Sequence, residues 1–287
     1  MIKPIFFCFA LTAAGVALAQ ERTGPPPMLS IKPIRGGAYW VEGGRANTGF
    51  VIGKTGVIVI DAQMTPQTAQ QEVAAISQLT EKPVTTLIIT HADPDHAGGI
   101  PFYPATAKLI EHENAYSEEL VSAANPAAGA LGPVYQRVIA HKPWKTIAST
   151  ETVTIDGVRM VLMYVAPAHT SGDLIIYLPA SKIIYAGDII TSNLGKYPVV
   201  HLGGSSLGWI ATMKAILALD ATTYVGGHGA FETKAQLQKR VRNAEERRAA
   251  VKVLVEQGKT LAESKPRCPS QARTPCFSRT PAPSMTS

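Results

Sequence analysis

The sequence predicts a mixed α/β or α+β protein, with an order of elements that suits two β-sheets packed face to face and helices outside. Three observations predict it. Short apolar runs rich in β-branched residues come first, with longer amphipathic segments interposed between them. The same order recurs in the second half of the chain. The composition, 46% hydrophobic and 17% charged over 287 residues, is sufficient for a full buried core in one domain.

Along the chain, residues 1–19 read as a secretory signal peptide: Lys3, an apolar stretch over 5–18, and the small-residue exit Ala17-Leu18-Ala19 before Gln20. The apolar stretch is short for a membrane anchor. No Cys follows the exit, which argues against a lipoprotein. Residues 20–30, with Pro25-Pro26-Pro27, read as a linker. Residues 31–263 form the folded domain. Within it, 38–42, 48–52 and 57–61 are expected strands divided by Gly-rich turns. A helix is expected over 65–79, with Thr65 as N-cap before Pro66. Strands follow at 84–90 and 107–111, then a helix near 113–123. Residues 125–133 read as an Ala/Gly/Pro loop, and 125–144 as either a lid with Trp144 as an aromatic wall or an ordinary connection. The second half offers strands at 152–155, 160–165, 174–178 and 183–185, a helix near 207–219 capped by Ser205 or Ser206, a strand at 224–225 and a basic amphipathic helix over 237–252. Trp209 is expected in the core. Residues 264–287 are rich in Pro, Ser, Thr and Arg and cannot bury enough apolar surface to offset chain entropy, so a disordered tail is expected.

The most informative stretch is His91-Ala92-Asp93-Pro94-Asp95-His96, directly after the apolar run 84–90. Two imidazoles and two carboxylates within six residues, at the end of a buried strand, can be aimed at one point. These are the donors a divalent transition metal prefers. One His-x-Asp would suit a solvated polar loop; four ligand-type side chains favour a metal site. Three more candidates start loops after apolar runs: His169 after 160–165, Asp188 after 182–186 and His228 after 223–225. Each has glycine close by, which permits close backbone approach. Any one alone would suit a capping or hydrogen-bonded structural role.

This ordered set resembles the metallo-β-lactamase-fold superfamily of metallo-hydrolases, over roughly residues 31–258. The resemblance implies a four-layer αββα sandwich. It also implies that His91, Asp93 and His169 hold one metal, that Asp95, His96 and His228 hold a second, and that Asp188 bridges them. Asp61, closing 57–60, matches an acidic position that orients a ligand imidazole. The chain departs from the family motif His-x-His-x-Asp-His by carrying Asp93 at the second His. A carboxylate there resembles the diiron branch. It adds negative charge, so a bound water is expected to be less acidified than in an all-His site. The expected cofactors are two divalent metal ions, zinc first, with iron or manganese as alternatives.

The net charge is +6, with its excess in 234–252 and after 265. No recognition element accompanies it, so a solvated helix face is expected and nucleic acid is not an expected partner. No later segment is long and apolar enough for stable membrane insertion. Of three cysteines, Cys8 leaves with the signal, and Cys268 and Cys276 could pair in an oxidising compartment. A Cys ligand is excluded from the core. The expected partner is a small-molecule substrate, and the expected location periplasmic or secreted.

These readings converge on an exported metal-dependent hydrolase. Its metal-activated water attacks an ester, thioester, lactone or amide bond, with Asp95 placed to steer the water and accept its proton. His201, on the Gly-rich loop 197–206, is either a substrate-binding group or a structural or exposed histidine. His112 and His141 have no metal-spaced partners and read as surface or hydrogen-bonded residues. Two other classes stay open: a diiron redox or oxygen-binding protein, and a non-catalytic metal-dependent binding module.

Overall fold

The computed structural model describes residues 28–260, apart from 196 and 202, together with Glu263. The expected signal peptide, residues 20–27 of the linker, the tail and all three cysteines lie outside the described residues.

Each half of the chain makes its own sheet. The first half forms seven strands that lie side by side in chain order: β1 (Ser30–Arg35), β2 (Ala38–Glu42), β3 (Thr48–Ile52), β4 (Val57–Ile60), β5 (Val84–Ile88), β6 (Lys108–His112) and β7 (Lys145–Ile147). The strands β1 to β4 are antiparallel neighbours joined by tight turns, whereas β4 to β7 are parallel. Parallel pairing needs crossovers. They are supplied by α1 (Pro66–Leu79), by the short α2 (Pro94–Ala97), and by α3 (Glu113–Ala124) with α4 (Gly132–Val138). The second half adds β8 (Glu151–Ile155), β9 (Val158–Met163), β10 (Ile175–Leu178), β11 (Ile183–Tyr185) and β12 (Thr223–Val225), in the order β12-β11-β10-β9-β8. Only β11 and β12 are parallel in this sheet, and α5 (Ser206–Ala218) connects them; α6 (Lys234–Glu256) follows.

The strand period of two explains the layering. In β4, Ile58 and Ile60 point between the sheets, into a core with Met160, Leu162, Ile176, Leu178 and Ile183. Val57 and Val59 point the other way, onto Ala69 and Ile76 of α1. On the far side of the second sheet, Ile175, Tyr177 and Ile184 meet Trp209 and Met213 of α5 and Leu237 and Val241 of α6. The result is the αββα sandwich, with Trp209 buried as expected. Helix starts follow side-chain caps: Thr65 accepts from Thr68 N, Ser205 from Gly208 N and Thr233 from Gln236 N.

Several elements differ from expectation. Residue 30, read as linker, opens β1, a half-exposed edge strand that tolerates Pro33 and carries no clear alternation. The expected loop at 125–133 contains a 3-10 segment at Pro126–Leu131 and the start of α4. The Asn125 carboxamide accepts from Ala127 N at 2.9 Å and nucleates the 3-10 segment. Trp144 stands 60% exposed with the Lys108 ammonium over its ring, and does not wall the cavity described below. His112 follows the hydrogen-bonded of its two readings: it is buried, caps α3 by accepting from Asn114 N, and stacks on Tyr164. No helix among the described residues is long and apolar enough to cross a membrane.

Strand directions place every ligand-bearing loop at one edge. The strands β4 and β5 are parallel, so Asp61 and the 91–96 turn leave from the same end. In the second sheet β9, β11 and β12 run the same way, so the exits toward His169, Asp188 and His228 share an end as well.

Candidate metal centre

The 91–96 turn is built on Thr90 and Asp61. Asp61 adopts φ +63°, a left-handed conformation that Asp tolerates better than branched residues. This ends β4 one residue earlier than expected and turns the carboxylate back across β5. Its Oδ1 accepts from Thr90 N at 2.7 Å, and its Oδ2 accepts from Thr90 Oγ1 and His96 Nδ1, both at 2.9 Å. Asp93 occupies the N-cap position of α2, but its side chain makes no cap bond and turns to the cluster instead. Pro94 opens the helix at its first turn, which carries Asp95 and His96 into position.

The second sheet delivers its donors singly. The loop around His169 is closed by Asp173, which accepts from Ala168 N and from both Thr170 N and Oγ1. Asp188 sits in a 3-10 turn, Gly187–Ile189, at the exit of β11. The His228 loop is clamped from the first sheet: Asn47 Nδ2 donates to Gly226 O at 3.0 Å and Gly229 O at 2.8 Å. Gly227 must lack a side chain, because a Cβ there would lie 2.0 Å from Asp188 Oδ1.

All seven expected ligands converge. Donor atoms of Asp95, His96 and His228 lie within 4.8 Å of one another, as do those of His91, His169 and Asp188. Asp188 faces both groups: Oδ1 is 3.2 Å from His96 Nε2, while Oδ2 is 3.2 Å from His228 Nε2 and 3.6 Å from His169 Nε2. Asp93 Oδ2 lies 3.2 Å from His169 Nε2, 3.6 Å from His91 Nε2 and 2.7 Å from His201 Nδ1. Asp95 Oδ2 lies 3.3 Å from His228 Nε2.

Hydrogen bonding at the far nitrogens decides what the near ones present. His169 Nδ1 faces the Val199 carbonyl at 3.0 Å, and a carbonyl only accepts, so Nδ1 carries the proton. His96 Nδ1 donates to Asp61. Thr90 spends its single hydroxyl proton on Asp61 and therefore accepts from His91 Nδ1 at 3.0 Å. When the three rings are neutral, the state a metal ligand must take, each Nε2 lone pair points into the cluster, toward carboxylate oxygens. His91 Nε2, His96 Nε2 and Asp188 Oδ1 are buried without any hydrogen-bond partner. Lone pairs facing carboxylates repel unless positive charge lies between them. The donor set, imidazole nitrogen with carboxylate oxygen, fits divalent metal ions.

The electrostatics express the same demand. Burial raises the Asp93 carboxyl, but His169, His201 and His91 outweigh it and hold it well below the usual carboxylate range. Asp188 is likewise held well below that range, by His96, His228 and His91 against burial. Burial pulls His96 down, while Asp61 and Asp188 push it well above an ordinary imidazole. The same balance, with Asp188 and Asp95 dominant, pushes His228 up to about 9. Protons and metal ions thus compete for these nitrogens.

A cavity of about 420 Å³ opens beside the cluster, lined by Asp93, Asn114, Glu118, Tyr135, Ser171 and His201 among others. No Lys or Arg lines it. Glu118 accepts from Ser171 N and Oγ. A separate groove of about 400 Å³, bounded by Tyr197, Arg247, Arg248 and Val251, contains none of the ligand candidates. Sequence reasoning missed the buttress Thr90, the clamp Asn47 and the Val199 carbonyl. Thr90 was within reach, as the last polar residue of the strand before the motif. The other two carry no sequence signal.

Comparison with known proteins gives a consistent picture. Residues 41–228 match a family model described as the metallo-beta-lactamase superfamily. The alpha subunit of 2,4-dinitroanisole O-demethylase from Nocardioides sp. (strain JS1661) is 30% identical over 206 residues, 70% of this chain and 58% of that protein. A linear primary-alkylsulfatase from Pseudomonas sp. (strain ATCC 19151) is 22% identical over 61% of this chain and 39% of its own length. The chain thus spans less than two thirds of either relative. Among solved structures, a metallo-beta-lactamase from Pontibacter korlensis superimposes with TM-score 0.62 at 18% identity, covering 76% of this chain and 99% of that one. The metallo-beta-lactamase DIM-1 gives 0.63 at 18%, with 77% and 99% covered. At that identity the likeness speaks to the fold alone.

Proposed function

Because the chain belongs to the metallo-β-lactamase superfamily, we propose that it is a metal-dependent hydrolase acting on an uncharged small molecule at an ester, thioester, lactone or amide bond. The observation that carries this reading is the pair of buried, partnerless nitrogens, His91 Nε2 and His96 Nε2, set among carboxylates. His91, His169 and Asp93 would hold one divalent ion, and Asp95, His96 and His228 the other, with Asp188 between them. Zinc suits this set of nitrogen and oxygen donors. When bound, the metal pair supplies Lewis acidity that acidifies water and polarises the scissile group. The chain's own side chains do the rest. Asp61 and Thr90 lock the two ring orientations and the Val199 carbonyl locks a third, while Asp95, whose Oδ2 lies 3.3 Å from His228 Nε2, would accept a proton from the attacking water.

The preference for an uncharged substrate follows from charge. Asp61, Asp93, Asp95 and Asp188 together cancel the charge of two divalent ions, and Glu118 adds a further negative charge at the cavity wall. No Lys or Arg lines the cavity, and the one imidazole there, His201, already faces Asp93, so the lining side chains offer no unpaired cation to an anion. Export to the periplasm or exterior rests on residues 1–19 of the sequence.

The test is a metal assay combined with a substrate panel on the purified protein. The panel spans neutral esters, thioesters and lactones, an aryl methyl ether, an alkyl sulfate and a β-lactam carboxylate. Turnover of a neutral ester, thioester or lactone, lost on chelation and restored by zinc, is the expected result. Metal retained without turnover on any of them would make the protein a binding module. A coloured, iron-loaded protein would favour redox chemistry. Preference for the sulfate or carboxylate would overturn the charge argument.

A further inference from the structure

Three imidazole nitrogens converge on one oxygen, Asp93 Oδ2: His201 Nδ1 at 2.7 Å, His169 Nε2 at 3.2 Å and His91 Nε2 at 3.6 Å. His91 and His169 are already assigned to the first metal. His201 comes from a different loop and has no place in the sequence motif. Its ring lies 4.3 Å from that of His169, centroid to centroid, and donor atoms of Asp93, His169 and His201 all fall within 4.8 Å of one another. The loop that carries it is held to the ligand loop by backbone: His201 N donates to His169 O at 2.7 Å, and Val199 O accepts from His169 Nδ1. A Cβ on Gly204 would lie 2.3 Å from His169 O, so the two loops pack at a distance only glycine permits. With Nδ1 of His169 committed to Val199, one lone pair of His169 serves both sets of neighbours. Asp93 and His201 therefore join the centre that contains His91 and His169 and do not form an independent site.

We propose that His201 is a ligand of the first metal, bringing a third imidazole to a centre whose motif position 93 is a carboxylate. The first metal would then draw three imidazole nitrogens, from His91, His169 and His201, and carboxylate oxygen from Asp93 and the shared Asp188. The inference rests on the metal-hydrolase reading above and adds a ligand to it. Since His201 is half-exposed and lines the cavity, that ligand stands between the metal and the space where substrate enters.

The experiment compares wild-type protein with His201→Ala and His201→Gln, loaded with zinc. Affinity is read by competition against a chromophoric chelator, and the number of imidazoles per metal by X-ray absorption. Melting of the metal-free forms checks the fold. The expected result is two zinc ions in the wild type and, in both variants, an affinity for one of them reduced tenfold or more, with one imidazole fewer per metal pair. The other zinc stays unchanged. A reduced affinity with the imidazole count intact overturns the proposal, leaving His201 as a hydrogen-bond partner of Asp93. So do variants indistinguishable from wild type. A wild type that binds no metal overturns the metal-centre reading itself, which separates that failure from this one.

Discussion

The two halves of the molecule furnish the centre in opposite ways. The first sheet contributes His91, Asp93, Asp95 and His96 from a single turn, fixed locally by Thr90, Asp61 and the start of α2. The second contributes His169, Asp188 and His228 from three separate strand exits, each supported by its own backbone arrangement. A short turn brings donors together through covalent connection, so their mutual placement survives small shifts of the sheets. Donors from three loops meet only if both sheets pack in register, and they depend on long-range clamps such as Asn47 to Gly226 and Gly229. The difference teaches that half of the site is a local motif and half is a product of the global fold.

The sharpest way to break this comparison is at Asp188, the dispersed residue that faces both groups. Asp188→Ala is expected to release both metals and to lower kcat/KM by roughly a thousandfold or more, the several kcal/mol a Lewis acid contributes. Elemental analysis after dialysis checks the first outcome and steady-state kinetics the second. Retention of both metals would mean that the 91–96 turn suffices alone.

A smaller effect tests the local half. Asp61→Asn keeps the shape but weakens the acceptor for His96 Nδ1 and for Thr90. A loss of about 10–100-fold in metal affinity is expected, the usual cost of removing a group that orients a ligand. The loss should concentrate on the metal held by His96. An equal loss at both metals would show that Thr90 transmits the change to His91 as strongly.

The smallest effect concerns pH. In the metal-free chain His228 is raised from the ordinary 6.5 to about 9 by Asp188 and Asp95, against burial. Its contribution to stability is fully present below pH 6.5 and is lost as pH rises toward 9, because the folded state holds its proton longer than the unfolded one. Metal binding has the opposite trend, since the proton must leave first. The gap in melting temperature between metal-loaded and metal-free protein should therefore widen from pH 6.5 to 9. Differential scanning calorimetry at fixed free zinc measures it, and a gap independent of pH would mean that His228 is not a ligand.

Much of the fold was legible. The run over 84–90 announced β5 by its β-branched, apolar composition, and Thr65 before Pro66 marked the start of α1. The boundaries of β2, β3 and β11 match the expected strands, since each is a short run rich in apolar residues closed by turn residues. What escaped is short or half-exposed: β1 lacks a clean period, β7 has three residues, and α4 begins inside a Gly- and Pro-containing stretch that reads as loop. The seven ligand candidates and Asp61 were legible because they carry ligand chemistry and follow strand-like runs. His201 was legible only as a histidine on a glycine-rich loop, with nothing local to connect it to Asp93.

Sequence by itself determined the donor types, the αββα class through the family motif, and the closeness of four donors in the 91–96 turn, because those depend on residue chemistry and on neighbours a few bonds apart. Tertiary structure alone decided that Asp188 faces both groups, that the Val199 carbonyl sets the His169 tautomer, and that His201 reaches Asp93. These contacts join residues far apart in the chain: His96 to Asp188 and His201 to Asp93 across the two sheets, and His169 to Val199 and His228 to Asp188 between separate loops of the second. A backbone carbonyl has no residue identity to read, and the direction of a lone pair exists only once its neighbours are in place.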